Sequence, residues 1–334
     1  MADRSELDLT VAEVGERGTL ARILPLLPGS AALSVGPGDD SAVVRLDAAE
    51  VVTTCDMMVE GPDFRRDWSS PHDIGYKAMT SNLADISAMG ATPVGVIVAL
   101  AAPTDTPVVD LVGIARGIAR GLHDMAPEAG VLGGDLSTSH QLTLSVTVLG
   151  QLHGHSPVLR SGASVGDIVA VTGEPGRSQR GYELLAAATT DHGGQLPDEV
   201  RAQLVQQPDV AHHLAPRVEL DLGPTALQAG ATAMMDVSDG LLLDATRMAE
   251  ASGVRIDFEA RHVVDAAWLT GGEDHGLLAC FPADTVVPDG FIAVGQVVEH
   301  SEGEPRVTVG GQPPEADRGG WDPYRDSVTT RVSP

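Results

Sequence analysis

SPHDIGYKAMTSNLADISAMG, residues 70–90, carries helix signals at both ends. Ser70 is placed to cap the first turn, Pro71 suits the first helical position, Asp73 lies in the first turn, and Gly90 follows Met89 as a terminator. Lys77, Ser81 and Asp85 follow at four-residue steps and therefore share one face. At 1.5 Å per residue Lys77 and Asp85 are about 12 Å apart along the axis, so they can serve one site without forming a direct ion pair. Asp85 stands among small and apolar residues, where a solvated surface acid is not expected, and Lys77 is the only lysine of the chain.

Outward from this helix the chain alternates strands and helices. TVAEVGERGTLARILPLL (10–27) reads as a helix closed by Pro28 and Gly29, and SAVVRL (41–46) and EVVTTCDMM (50–58) as neighbouring strands, with Asp56 at the end of the second. VGVIVALAAP (94–103) is a buried strand by its β-branched content, VVDLVGIARGIARGLHDMA (108–126) an amphipathic helix, and QLTLSVTVLGQL (141–152) a further strand. Between the last two, VLGGDLSTS (131–139) reads as a glycine-rich bend where backbone can approach a ligand. A second unit begins near VLRSGASVGDIVAVTGEPG (158–176) and repeats apolar strand, glycine turn and helix at ATAMMDVSDGLLLDATRMAEASG (231–253). The fold class is therefore α/β with mixed sheets in two domains, 1–153 and 154–334, with acids at strand ends where ligand sites of such folds gather.

The 334 residues include 47 Asp and Glu against 21 Lys and Arg, for a formal charge of −26. That excess argues against nucleic acid and anionic membrane as partners, since both require a positive footprint. Aromatic residues are only 3%, so each aromatic in a loop, Trp321 among them, invites a functional reading. Cys55 and Cys280 stand far apart without a C-x-x-C, which suggests neither a disulfide framework nor a zinc site. The polar N-terminus is unlike a signal peptide, and no apolar run reaches membrane-spanning length, so the expected compartment is the cytoplasm.

The acids themselves are placed oddly. GPGDD (36–40) sets two carboxylates on one bend, and similar placements recur at Asp56, Asp135, Asp236, Asp239, Glu273 and Asp274. Converging in one cleft, these charges require cations between them, and an all-oxygen donor set points to a hard ion, Mg²⁺ first and Mn²⁺ or Ca²⁺ after it. The pair His212 and His213 reads as ordinary loop or helix surface.

Taken in order, GPGDDSAVV, DMMVEGPDF, YKAMTSNLADISAMGATP, GGD, RSGASVGD, DVSDGL and GGEDH resemble the thiamine-monophosphate kinase family, within the superfamily of aminoimidazole ribonucleotide synthetase. The resemblance runs over nearly the whole chain. It implies an N-terminal domain that binds ATP and Mg²⁺ and forms a homodimer through its sheet, a C-terminal domain completing the cleft, and transfer of the ATP γ-phosphoryl to a phosphorylated small molecule, thiamine monophosphate. Carried over by position, Asp40, Thr54, Asp56, Asp85, Asp135, Asp236 and Asp239 match metal ligands, with Asp135 and Asp239 expected to be catalytic. Gly134, Asp135, Arg160 and Ser238 match ATP contacts, and Asp63, Glu273 and Trp321 fall at substrate positions. A phosphate nucleophile is already ionised near neutral pH, so positioning and charge neutralisation suffice without a general base.

Four departures from the family pattern stand out. Asp63 replaces a histidine in VEGPDF, Cys55 takes a threonine position, Arg177 and Arg180 occur where small residues are commoner, and the connection from RIDFEA to WLTGGEDH is short. Asp63 either turns away, with Arg65 or Arg66 taking its place, or faces an acceptor group that is not anionic. The alternatives to the kinase are a paralogue using the same ATP chemistry on another phosphorylated or carboxylated metabolite, and a binding protein without catalysis.

Overall fold

The computed structural model describes residues 9–36, 41–46, 50–315 and 319–321. Thr10 caps α1 (Val11–Ile23) through a reciprocal pair with Glu13, and a short 3₁₀ turn over Leu24–Leu26 ends this segment earlier than the sequence suggests. The strands β1 (Leu33–Val35) and β2 (Val43–Val44) form a separate antiparallel ribbon. The second of the two expected neighbours, β3 (Val52–Val59), instead pairs along its whole length with β6 (Thr143–Gln151), which offers it eight partners where β2 spans two residues.

The first sheet has the order β3-β6-β4-β5, where β4 is Thr92–Ala102 and β5 is Gly130–Thr138. Only β4 and β5 run parallel. Two local expectations change here. Asp56 lies inside β3 rather than at its end, and VLGGDLSTS is strand β5 rather than a bend, because its backbone groups are taken up by the edge of β4.

One face of this sheet is covered by α2 (Pro71–Ala88) and α3 (Val108–Met125). Ser70 caps α2, with its hydroxyl accepting from the Asp73 N–H and the Asp73 carboxylate accepting from the Ser70 N–H, as the sequence predicts. The two helices approach so closely that a Cβ on Gly75 would overlap the Ile114 carbonyl and one on Gly117 the His72 carbonyl. Ile74, Met79, Leu83, Ile86, Leu111, Ile114 and Leu122 fill the space beneath them.

The second sheet has the order β12-β9-β11-β7-β10-β8. Its strands are β7 (Ile168–Thr172), β8 (Ala233–Asp236), β9 (Arg255–Phe258), β10 (Leu277–Phe281), β11 (Phe291–Val298) and β12 (Val307–Val309). Helices α4 (Arg177–Asp191), α5 (Asp198–Leu204), α6 (Pro208–Leu214), α7 (Leu222–Gln228), α8 (Leu241–Ser252) and α9 (Ala266–Thr270) accompany it. Burial pushes the Cys280 thiol pKa up, as suits an inert core residue.

The helix α2 also meets the second half of the chain. Thr80 donates to the Pro216 carbonyl at 2.6 Å, Ser87 donates to the Leu220 carbonyl at 2.7 Å, and Ala88 joins a cluster with Phe281 and Phe291. Among the described residues no helix is long and apolar enough to cross a membrane.

The close helix contact gives a direct check. Gly117→Ala forces α2 from α3 and is expected to cost about 1–3 kcal/mol, read as a lower thermal midpoint. Gly133→Ala, whose Cβ would meet nothing within 4 Å, leaves the midpoint nearly unchanged.

Candidate active site

The polar face of α2 is used along its length. Lys77 Nζ lies 3.0 Å from Glu273 Oε1 and donates to the Asp63 carbonyl at 3.3 Å. One turn on, Ser81 Oγ is 3.2 Å from His275 Nε2, and a further turn on Asp85 accepts from Thr54 Oγ1 at 2.6 Å. Beside them, Asn82 Oδ1 accepts from the Asp56 N–H at 3.0 Å, and His275 Nδ1 lies 3.4 Å from Asp236 Oδ2.

The turns after β8 and before β10 are clasped together by their backbones. Glu273 N–H donates to the Ser238 carbonyl at 2.8 Å, His275 N–H to the Val237 carbonyl at 3.0 Å, and Val237 N–H to the Gly276 carbonyl at 2.8 Å. Trp321 N–H closes on the Asp239 carbonyl at 2.9 Å. Glu273 and His275 both hold left-handed backbone, with φ of 65° and 55°, a conformation non-glycine residues take at a cost and mostly at functional sites.

Asp56, Asp85 and Asp236 thus lie within electrostatic reach of one another and of His275, with Thr54 bonded to Asp85 and Asp239 acting on Asp56. Burial raises the Asp85 pKa to about 7, and the negative charges of Asp236 and Asp56 add to the effect against the Thr54 hydrogen bond. Asp56 is likewise raised, by burial and by Asp236 and Asp239 against the pull of His275. Asp244, fully buried, rises to about 6 through burial and the charge of Asp236. Asp244 accepts from the Asp239 N–H at 3.1 Å, and Arg247 Nη1 bridges Asp239 and Asp244 at 2.6 and 2.8 Å. His275 is raised because Asp236 and Glu273 outweigh its burial. Such mutually repelling carboxylates fit a hard cation. Among the described residues no three His, Cys, Asp or Glu side chains stand at metal-binding spacing, and Asp40 lies outside the described residues.

At the other end of α2 lies a cavity of about 180 Å³ bounded by Phe64, Trp68, Tyr182, His213, Glu273 and Trp321. Trp68, Tyr182 and His213 meet edge to face, with centroids 5.6 to 6.3 Å apart. His213 is therefore no surface residue: it is buried on α6, lies 2.9 Å from Ser178 Oγ and 3.6 Å from Glu273 Oε2, and is drawn in by the apolar face of α6 packing on α4. Burial opposes the Glu273 charge, yet Lys77 and His213 hold its pKa down to about 2. Asp63 lines the same cavity, with Oδ2 accepting from the Val59 N–H at 2.7 Å. Arg65 sits 5.0 Å over the Trp68 ring and pairs with Asp67, whereas Arg66 pairs with Asp110 elsewhere.

A second cavity of about 380 Å³ lies between α1, α3 and β5, lined by residues such as Leu20, Ile114, Ile118, Val131, Gly134 and Asp135. A Cβ on Gly134 would strike the Val98 carbonyl. The strand register sets Asp135 in one row with Ala99, Ser145 and Met57, and Asp56 in the next row with Val146 and Val98. Asp135 and Asp56 therefore face opposite sides of the first sheet. Cys55 shares the outer side and meets Ser145 at 3.5 Å. Arg160 is exposed beside β8, its carbonyl accepting from Ser252 Oγ at 3.0 Å.

Family models for AIR synthase related protein match the chain over residues 38–152, the N-terminal domain, and residues 164–287, the C-terminal domain. The thiamine-monophosphate kinase of Mycobacterium tuberculosis is 40% identical, the match covering 91% of this chain and 90% of that one. The Corynebacterium glutamicum thiamine-monophosphate kinase is also 40% identical, over 93% of this chain and 94% of its own. The chain belongs to the thiamine-monophosphate kinase family. Among solved structures, AaThiL complexed with AMPPCP and TMP superposes with a TM-score of 0.68 at 28% identity, covering 94% of this chain and 98% of that one.

Set within a thiamine-monophosphate kinase, several site residues were not singled out by sequence reasoning. His275 lay inside the GGEDH motif, and Asp244 and Arg247 carried a three-residue helical spacing after DVSDG. Trp68 and Tyr182 gave no local signal beyond the scarcity of aromatic residues.

A carboxyl with a raised pKa binds its proton more tightly folded than unfolded, so its burial destabilises the fold increasingly as pH rises from about 4 to above 7. In metal-free protein the stability gained by Asp85→Asn over the parent should therefore be small at pH 5 and larger at pH 8. Thermal midpoints of both proteins at the two values test this.

Proposed function

We propose that the chain transfers the γ-phosphoryl group of ATP to the phosphate of thiamine monophosphate, yielding thiamine diphosphate and ADP. The observation that carries this reading is that, in a chain of this family, one face of α2 runs from an aromatic cavity with a carboxylate at Glu273 to a cluster of mutually repelling acids at Asp85. An acceptor phosphate oxygen attacks the γ-phosphorus, the bond to the β-bridging oxygen breaks, and no proton need be removed from an ionised phosphate.

Thr54, Asp56, Asp85, Asp236 and Asp239 would hold Mg²⁺, with Asp40 as a further candidate, and Asp135, on the opposite side of the first sheet, would serve a separate ion there; the ions would neutralise charge on the phosphates. The chain's own residues supply placement. His275 and Thr54 hold Asp236 and Asp85 in orientation, and Arg247 holds Asp239. The apolar cavity beside Gly134 suits the adenine of ATP; Ser238 and Arg160, which match ATP contacts by position in the family, lie beside β8 and would meet the nucleotide away from that cavity. Trp68, Tyr182 and Trp321 offer aromatic faces to the heterocycles of thiamine, while Glu273 faces its positive ring.

The outer side of the first sheet exposes Met57 and Ile97, 61% and 41% accessible, and supports a homodimer formed through that side. Asp135 lies on the same side.

Purified protein given ATP, Mg²⁺ and thiamine monophosphate should form thiamine diphosphate, detected directly by chromatography. EDTA should abolish the reaction reversibly, and Asp135→Asn should lower turnover by about 100-fold or more with an unchanged circular dichroism spectrum. Turnover in excess chelator, or product only from other acceptors, would contradict the reading.

A further inference from the structure

The sole lysine of the chain is buried, with a side chain 5% accessible, and it is not part of the acid cluster. Asp85 lies two turns away along α2, and the groups that meet the Lys77 ammonium are Glu273 Oε1 at 3.0 Å and the Asp63 carbonyl at 3.3 Å. A buried ammonium is costly unless its surroundings use the charge. Both partners belong to walls of the aromatic cavity, one in the first half of the chain and one in the second.

The backbone supplies an independent reason to look here. Glu273 and His275 hold left-handed φ values, which persist only where neighbours over-determine them. Their side chains meet α2 at Lys77 and Ser81, one turn apart, so the turn before β10 is pinned to α2 at two points. Without the ammonium, Glu273 would keep His213, at 3.6 Å, as a cationic neighbour in reach, and the turn would lose one of its two pins to α2.

We propose, resting on the thiamine-monophosphate reading, that Lys77 is the positioning residue of the acceptor pocket, acting through Glu273. Its ammonium keeps the Glu273 carboxylate ionised and aimed along the aromatic wall, where it meets the positively charged ring of the acceptor. The Asp63 carbonyl fixes the ammonium itself. Lys77 thus governs capture of the acceptor and leaves nucleotide binding alone.

The test is a cycle of four proteins: the parent, Lys77→Met, Glu273→Gln and the double variant, each assayed for the KM of thiamine monophosphate and of ATP. Lys77→Met is expected to raise the acceptor KM about 10-fold or more while the ATP KM stays within about twofold, and to change nothing further when Glu273→Gln is already present. Should Lys77→Met alone fail to fold, the comparison of the double variant with Glu273→Gln decides, because removing both members leaves no unpaired charge buried. An unchanged acceptor KM, an ATP KM rising in step, or a further large loss in the double variant would overturn the proposal. A parent that forms no thiamine diphosphate would instead refute the function on which it rests.

Discussion

Repulsion among Asp56, Asp85 and Asp236 in poorly hydrated space is the constraint around which the rest of the molecule is arranged. Asp56 and Asp85 so placed resist ionisation, and the chain answers with local partners. Thr54 donates to Asp85, Asn82 accepts from the backbone of Asp56, and His275 stands against Asp236. At the edge, Arg247 ties Asp239 to the buried Asp244. Under the proposed function, the remaining deficit of positive charge is what divalent cations would supply, for the carboxylates and for the anionic nucleotide alike.

The helix α2 transmits this arrangement. It is packed into the first core by glycine contacts with α3, yet it bonds to the backbone at Pro216 and Leu220 and joins a cluster of the second sheet. A helix advances about 5.4 Å per turn, so the offset between the acids near Asp85 and the cavity near Lys77 is fixed by two turns of one rigid rod. Phosphoryl transfer depends on placing two anionic reactants in line, and under the proposed function this one helix would set both positions.

How much of this was legible follows from whether the signal was local. The cap, the terminator and the shared face of Lys77, Ser81 and Asp85 are properties of residues 70–90 alone, and all three hold in the structure. Residues 131–139 look like a bend in the sequence because their glycines speak for flexibility, whereas pairing with β4 decides the conformation of β5. His213 looks like a surface residue in the sequence because its burial depends on α4, and the aromatic wall of Trp68 and Tyr182 forms only when residues more than a hundred positions apart meet. That Asp56 and Asp135 lie on opposite sides of one sheet is a matter of register, which no spacing in the chain declares.

The proposed function puts cations at the acids around Asp85 and the acceptor in the aromatic cavity at the other end of α2. Anomalous diffraction from crystals grown with Mn²⁺, a non-hydrolysable ATP analogue and thiamine monophosphate tests it most directly. Anomalous peaks are expected at the carboxylates of Asp85 and Asp236, with the acceptor rings against Trp68 and Tyr182. Bound nucleotide and acceptor with no anomalous density at those carboxylates would contradict it.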